Sequence, residues 1–276
     1  MTASPPPKYE ALPYADPGVE LARCVRAWRK RLDPDEIPGF QQAWPGSRRR
    51  PRVSQEQVAA LIGYSTHWYS RLELGDQQNY SSDFLRRVAH VLRLSADEMR
   101  LLFLLAGKQL PTSTRRTTPD GLEPVLDAQP WPTYLSDEAW DLVGHNEQMR
   151  SWFPWVVQDD ANVMRWVFTY PEARQQLVRW ETEWAPQMLA QMRAGQLRYP
   201  DNQRLHSVIT EILDVNKDAR ELWEKPLAKF HPDGDRRSLY LPRHREPHPI
   251  QVVALEPFRA PGHRLVMLVP NSFQQA

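Results

Sequence analysis

The chain has 276 residues, 41% of them hydrophobic and 25% charged, with 35 Lys and Arg against 34 Asp and Glu. That is the composition of a globular chain with room for two domains of ordinary size, and no apolar run approaches the roughly 18 residues a membrane span needs. The single cysteine, Cys24, excludes an internal disulfide and a cysteine-based zinc cage, and its place between Leu21 and Val25 in a helical stretch gives it a packing role.

The near-zero net charge conceals an asymmetry: residues 20–110 carry about +5 and residues 111–276 about −3, which points to a polyanion-binding front half and a different partner for the back half. Residues 1–18 hold several prolines and little apolar periodicity, and read as a mobile tail. Their opening, from Met1 through Pro7, lacks the basic and apolar regions of a secretory leader, so the expected location is the cytoplasm, with no membrane partner.

Residues 19–31 read as a helix with Leu21, Val25 and Trp28 on one face. Pro34, Pro38, Gly39, Pro45, Gly46 and Pro51 forbid a continuous helix over 33–52 and predict a long loop. That loop ends in the basic cluster Arg48, Arg49, Arg50 and Arg52. Ser54 and Gln57 then have the spacing of a capping box, with Val58, Leu61 and Ile62 following at helical intervals, so a helix is expected over about 55–62. Gly63 stops it, Ser65 caps a second helix over 66–74, and Gly75 supplies the left-handed residue that ends the second. Two short helices about a glycine turn make a helix-turn-helix. Two further helices are expected over 82–92 and 95–106, capped by Ser82 and Ser95, with Phe84, Leu85, Val88, Leu92, Met99, Leu102 and Leu105 as the apolar face. The DNA-binding domain is thus all-α and spans 19–110.

In a helix-turn-helix the second helix enters the major groove, and its N-terminal residues reach base edges. Thr66, His67, Ser70 and Arg71 form one polar face of the 66–74 helix, with Tyr69 and Leu72 pointing into the core. Arg71 suits either a guanine or a phosphate. Ser65 lies at the same end, and Gln55 opens the preceding helix, where exposed N–H groups can hold a phosphate. The arginines at 48, 49, 50 and 52 add sequence-independent affinity through counterion release. Glu73 reads as a structural ion-pair partner, whereas Trp68 fits either the core or the DNA backbone. Double-stranded DNA read by a homodimer is the expected partnership.

From Pro111 to Pro130 the chain is rich in Thr, Pro and Arg and reads as a linker, leaving 131–276 as a second domain. Ala173, Leu177, Trp180, Trp184, Met188 and Met192 predict one long helix over 172–193, and 203–213 and 218–224 read as shorter helices. The apolar runs 131–144, 238–242, 249–256 and 263–269 are bounded as strands are, so this domain, and the chain as a whole, is α+β. Eight of the eleven tryptophans fall between 131 and 223. Trp140, Asn146, Trp152, Phe153, Trp155, Trp166, Trp180 and Trp184 are the candidates to line an apolar ligand pocket, against the alternative that each is ordinary core. A phosphate loop, nucleophile elbow and zinc-binding His-Glu-x-x-His are all lacking, so neither enzyme activity nor a metal site nor an obligatory cofactor is expected. His231 reads as securing a turn with Pro232, Asp233 and Gly234.

Residues 53–75, VSQEQVAALIGYSTHWYSRLELG, resemble the helix-turn-helix of the XRE (Cro and lambda-repressor-like) family. Together with LRRVAHVLRLSADEMRLLFLLAG they resemble the MmyB-like regulators more narrowly, with Trp68 in place of a usual Tyr. Farther along, WDLVGHN (140–146), the helix carrying Trp180, ELW (221–223) and KFHPDG (229–234) extend the resemblance over about 20–270. It implies a transcriptional regulator whose C-terminal domain has a PAS-like ligand-binding fold, and a fatty acid or similar small hydrophobic molecule as ligand. The rival reading is a C-terminal protein-interaction or dimerisation module with no ligand.

Overall fold

The computed structural model describes residues 16–46, 52–109, 118–119, 121–225, 235–258 and 260–271. Arg48, Arg49, Arg50, His231, the KFHPDG segment, the first fifteen residues of the expected tail and much of the expected linker lie outside them.

Helix α1 spans Pro17–Arg31, two residues more than its apolar periodicity announced. The reason is local: Asp16 caps it by accepting from the Gly18 N–H at 2.8 Å, and Pro17 enters at the first turn, where its missing N–H costs nothing. The proline-rich stretch that follows is not a bare loop. It holds a 3₁₀ turn, Pro34–Glu36, and a short helix α2, Phe40–Ala43, which anchors the buried Phe40. Helix α3 spans Gln55–Ile62 with both halves of the Ser54–Gln57 capping box formed, and Gly63 closes it at φ +74°. Helix α4 spans Thr66–Leu74, capped by Ser65 and closed by Gly75 at φ +83°. Helices α5, Ser82–Val91, and α6, Ala96–Leu105, complete the bundle. The cap of α5 is Ser81 rather than Ser82: its hydroxyl accepts from the Phe84 N–H at 3.1 Å, and Ser82 is already inside the helix. Leu21, Val25 and Trp28 of α1 share one buried cluster with Tyr69 and Leu72 of α4 and Phe84, Leu85 and Val88 of α5.

The second domain is α+β, a five-stranded antiparallel sheet in the order β2-β1-β5-β4-β3. Its strands are β1 Thr133–Ser136, β2 Leu142–His145, β3 Asp235–Leu239, β4 His248–Leu255 and β5 Arg264–Pro270. Period-two alternation sends Ile250, Val252 and Ala254 of β4 to the same face as Leu268 and Val266 of β5, their register partners or next neighbours. That inner face is covered by the helices between β2 and β3: α8 Glu147–Trp152, α9 Val163–Thr169, α10 Pro171–Gln176, α11 Ala185–Arg198, α12 Gln203–Val215 and α13 Lys217–Trp223. A further helix, α7 Leu122–Asp127, falls inside the stretch expected to be linker. Leu126 buries itself on the outer sheet face with Leu135 and Leu265, so this part of the stretch belongs to the second domain.

The long helix expected over 172–193 is broken. Chain 177–179 leaves helical geometry, with Arg179 at φ +52°, and a π-helical turn, Trp180–Trp184, leads into α11. The break lets the chain pair with the edge of the sheet: Leu177 bridges Leu239, Val178 N–H donates to Ser238 O at 3.2 Å, and Tyr240 N–H donates to Gln176 O at 2.8 Å. The helical spacing survived the break because Ala173, Leu177, Trp180, Trp184, Met188 and Met192 all end in the same core.

Candidate DNA-reading face, effector cavity and the seam between them

Helix α4 and its cap expose Ser65, Thr66 and His67 to solvent and Ser70 and Arg71 in part, while Tyr69 and Leu72 are wholly buried beneath them. The five polar groups therefore lie together at one surface. Ser65 has a second task, since its hydroxyl accepts from the Trp68 N–H at 3.2 Å and caps the helix. The Ser70 hydroxyl donates to His67 O at 2.9 Å, and Arg71 sits in an ion pair with Asp76 at 3.0 Å. That pair is half-exposed, so the guanidinium can still exchange it for a phosphate or a base at modest cost. Gln55 occupies the first turn of α3, half-exposed, and Arg52 is exposed just before it. Trp68 packs edge-on against Tyr80, ring centres 5.5 Å apart, which places it on the core side of α4.

Glu73 is buried at 3% exposure. Arg29 of α1 grips its carboxylate with Nε at 2.8 Å and Nη2 at 2.6 Å, and reaches the Val53 carbonyl with Nη1 at 3.0 Å. Arg26 donates to the Glu73 carbonyl at 3.1 Å. Two arginines of α1 thus hold the end of α4, and Arg29 also ties it to the chain just before α3. The contacts with Glu73 span more than forty positions, beyond the reach of any local sequence signal.

In the second domain, Trp140, Phe153, Trp155, Trp166 and Trp184 line a partly open cavity of about 110 Å³. Strand residues Val252, Val266 and Leu268 form its floor. Three other candidates lie elsewhere. Asn146 spends its side chain holding backbone: Oδ1 accepts from Thr133 N at 3.0 Å and Met149 N at 2.9 Å, and Nδ2 donates to Trp131 O at 2.8 Å. Trp180 donates to Val167 O at 3.0 Å and lies under the Arg174 guanidinium at 4.1 Å. Trp152 sits against His248 at the wall of a larger cleft, about 1080 Å³, between the two domains. That cleft is open, and several of its charges are already matched, as Arg31 is with Glu98 and Arg243 with Glu36.

Two cavity residues carry charge and were not anticipated: Arg237 of β3 and Arg264 at the start of β5. Arg237 bonds the Gln187 side-chain oxygen and lies 4.5 Å above the Trp184 ring. Arg264 lies 4.1 Å above the Trp140 ring and donates to Asp137 O at 2.9 Å. Burial pulls the Arg264 guanidinium below its ordinary pKa, against the opposing influence of Tyr199, Tyr134 and Glu256. Burial likewise pushes the Tyr134 hydroxyl, also on the cavity wall, up to about 12.

One helix joins the two sites. From α5, Arg86 pairs with Asp160 and Arg87 donates to the Thr169 carbonyl and covers the Tyr170 ring at 4.8 Å. His90 and Arg93 together hold Glu172, which is 3% exposed. Burial by itself would raise the Glu172 carboxyl, but Arg93 and His90 outweigh it and hold the group well below the usual carboxylate range. Burial is also the largest influence on His90 and lowers it, so near neutral pH the uncharged imidazole donates its Nε2–H to an ionised Glu172. Next along the chain from Tyr170, Pro171 lies so near the helix-turn-helix glycine that a Cβ on Gly63 would stand 3.1 Å from its ring.

A helix-turn-helix bundle seated on an α+β domain with an aromatic cavity defines a DNA-binding transcription regulator that carries a ligand-binding domain. The chain belongs to the family described as MmyB-like transcription regulator ligand binding domain, whose model matches residues 118–272, and a helix-turn-helix domain model matches residues 20–102. No curated protein matches the chain. Among the described residues no helix is long and apolar enough to cross a membrane.

Proposed function

We propose that the protein is a cytoplasmic, sequence-specific regulator that reads double-stranded DNA as a homodimer, and whose operator affinity is set by a small hydrophobic ligand in the aromatic cavity. The observation that carries this reading is the segment α9–α10. Val163, Trp166 and Val167 of α9, with Leu177 just past α10, line the cavity. Between them, Thr169, Tyr170, Pro171 and Glu172 meet Arg87 and His90 of α5, Arg93 just past its end, and the Gly63 turn of the DNA-binding domain. A ligand that repacks the tryptophan wall therefore displaces the residues on which the reading domain rests. Modulation requires only that the ligand prefer one of the two arrangements.

Thr66, His67, Ser70 and Arg71, with Ser65 and Gln55 at the helix starts, are the groups assigned to DNA, and the arginine cluster 48–52 adds affinity through phosphate. The test is selection of genomic fragments by the purified chain at two salt concentrations, followed by sequencing. Enrichment of an inverted repeat supports a sequence-specific dimer. Salt-sensitive retention without enrichment removes the specificity, and no retention at low salt removes the DNA-binding role.

A further inference from the structure

The cavity wall is rich in hydrogen-bond donors, and two of them lack an acceptor among the described residues. Trp155 and Trp166 stack with ring centres 5.1 Å apart and planes 15° from parallel. Both are nearly fully buried, and both indole Nε1–H groups lack a hydrogen-bond partner among the described residues. A buried donor without an acceptor costs about 1–3 kcal/mol, so two on one wall call for an explanation. Arg264 adds a charge to the account. Its guanidinium has the Asp137 carbonyl and the Trp140 ring, and no carboxylate within ion-pairing distance among the described residues. The nearby Glu256 is engaged by Arg198 at 2.9 Å and by the Gly262 N–H at 2.8 Å. A largely buried cation is costly unless an anion meets it.

The two cavity arginines do not share one end. Arg237 stands opposite Ile250, which stands opposite Pro270, and Arg264 lies six residues back along β5 from that row. The Arg237 end is closed by Gln187 and Trp184. The Arg264 end supplies the charge without a counter-ion.

The space between is small. At about 110 Å³ the cavity falls below the range of roughly 300–1,000 Å³ typical of drug-sized ligands. It is nearer to the ~150 Å³ in which an apolar cavity takes up a single benzene ring. Its sides are flat aromatic surfaces, which favour a planar guest stacked or edge-on over a flexible chain that must first be ordered.

We propose that the ligand is a compact aromatic carboxylic acid with a single ring, bound as the carboxylate. Its ring lies among Trp155, Trp166 and Phe153, and its charge pairs with Arg264 over Trp140. This inference rests on the reading of the second domain as a ligand sensor and narrows the class of ligand that the sensor takes.

The experiment is calorimetric titration, with tryptophan fluorescence in parallel, of the full chain with benzoate, indole-3-carboxylate, benzamide and laurate. Saturable binding of benzoate is expected, at least tenfold tighter than benzamide and tighter than laurate. Arg264→Met is expected to weaken the acid at least tenfold while leaving the amide unchanged, and Arg264→Lys to recover part of the loss. The comparison of acid with amide on the unaltered protein holds even if the variants unfold. Laurate binding above benzoate, or benzoate bound no better than benzamide, overturns this inference and leaves ligand sensing in place. Failure of all four to bind overturns the inference and the sensing reading together, and DNA retention measured alongside reports the reading domain independently.

Discussion

Glu172 is the most instructive residue to perturb, because one carboxylate holds two side chains from the other domain. Glu172→Gln keeps the shape, but its amide can offer an acceptor to only one of Arg93 and His90 and turns donors toward the other. Arg93 is left without its counter-ion beside a buried imidazole. Removing one partner of a buried ion pair costs about 3–5 kcal/mol, a large share of the roughly 5–15 kcal/mol that holds a folded domain together. Here that cost falls on the docking of α5 against α10, since Arg93 and His90 stand on one side and Glu172 on the other. Urea unfolding followed by tryptophan fluorescence should show an earlier midpoint, and a ligand that shifts operator affinity in the unaltered protein should lose that effect. Arg93→Met should be similarly damaging, and the double variant much less so than the sum, giving a coupling of about 2–3 kcal/mol. A cost below about 0.5 kcal/mol for Glu172→Gln, strictly additive with Arg93→Met, would refute the argument that this pair joins the domains.

Gly75→Ala should lower the melting temperature strongly, since φ is +83° and the new Cβ would stand 2.0 Å from the Gly18 carbonyl oxygen. The left-handed conformation and the forced separation of α1 from α4 together cost about 2–5 kcal/mol, and a variant melting with the parent would contradict the packing. Arg71→Ala should weaken specific binding by about 1–3 kcal/mol if the guanidinium reads a base, or weaken all sequences alike with a shallower salt slope if it holds phosphate; gel-shift titration separates the two. His90 has its pKa lowered in the folded chain from an ordinary value near 6.5. The unfolded chain therefore takes up the proton first, and the contribution of His90 is complete above about 6.5 and is lost as pH falls from there toward the folded value. His90→Gln should flatten the drop in melting temperature between about pH 7.5 and 5.5, whereas Glu172, already ionised throughout that window, should not contribute to it.

The reading domain was legible in the sequence because its signals are local. The Ser54–Gln57 box, the Ser65 cap and the glycines at 63 and 75 each act within one or two turns of chain, and the structure places α3 and α4 at the residues those signals mark. The apolar spacing also announced which faces are buried, as in Tyr69 and Leu72. Local signals served less well where two readings share one spacing. The run from Ala173 to Met192 has helical periodicity, yet the edge of β3 offered hydrogen bonds to 176–178 that a continuous helix could not accept, and the chain broke to take them. Leu122–Asp127 looked like linker because a short helix needs an outer sheet face to bury Leu126, and that face exists only after β1 and β5 pair.

Function divides along the same line. The residues themselves determined an all-α DNA-reading domain and an α+β domain crowded with tryptophan, because composition, caps and periodicity are properties of the chain. Only the tertiary structure decided which aromatics surround a cavity, set Arg264 and Arg237 at its two ends, and brought Glu172 to His90 and Arg93 across some eighty positions. Burial, and with it the energy of a charge, is fixed by neighbours distant in sequence, so an arginine that reads as surface in a strand becomes the ligand's expected counter-ion once the sheet and helices close over it.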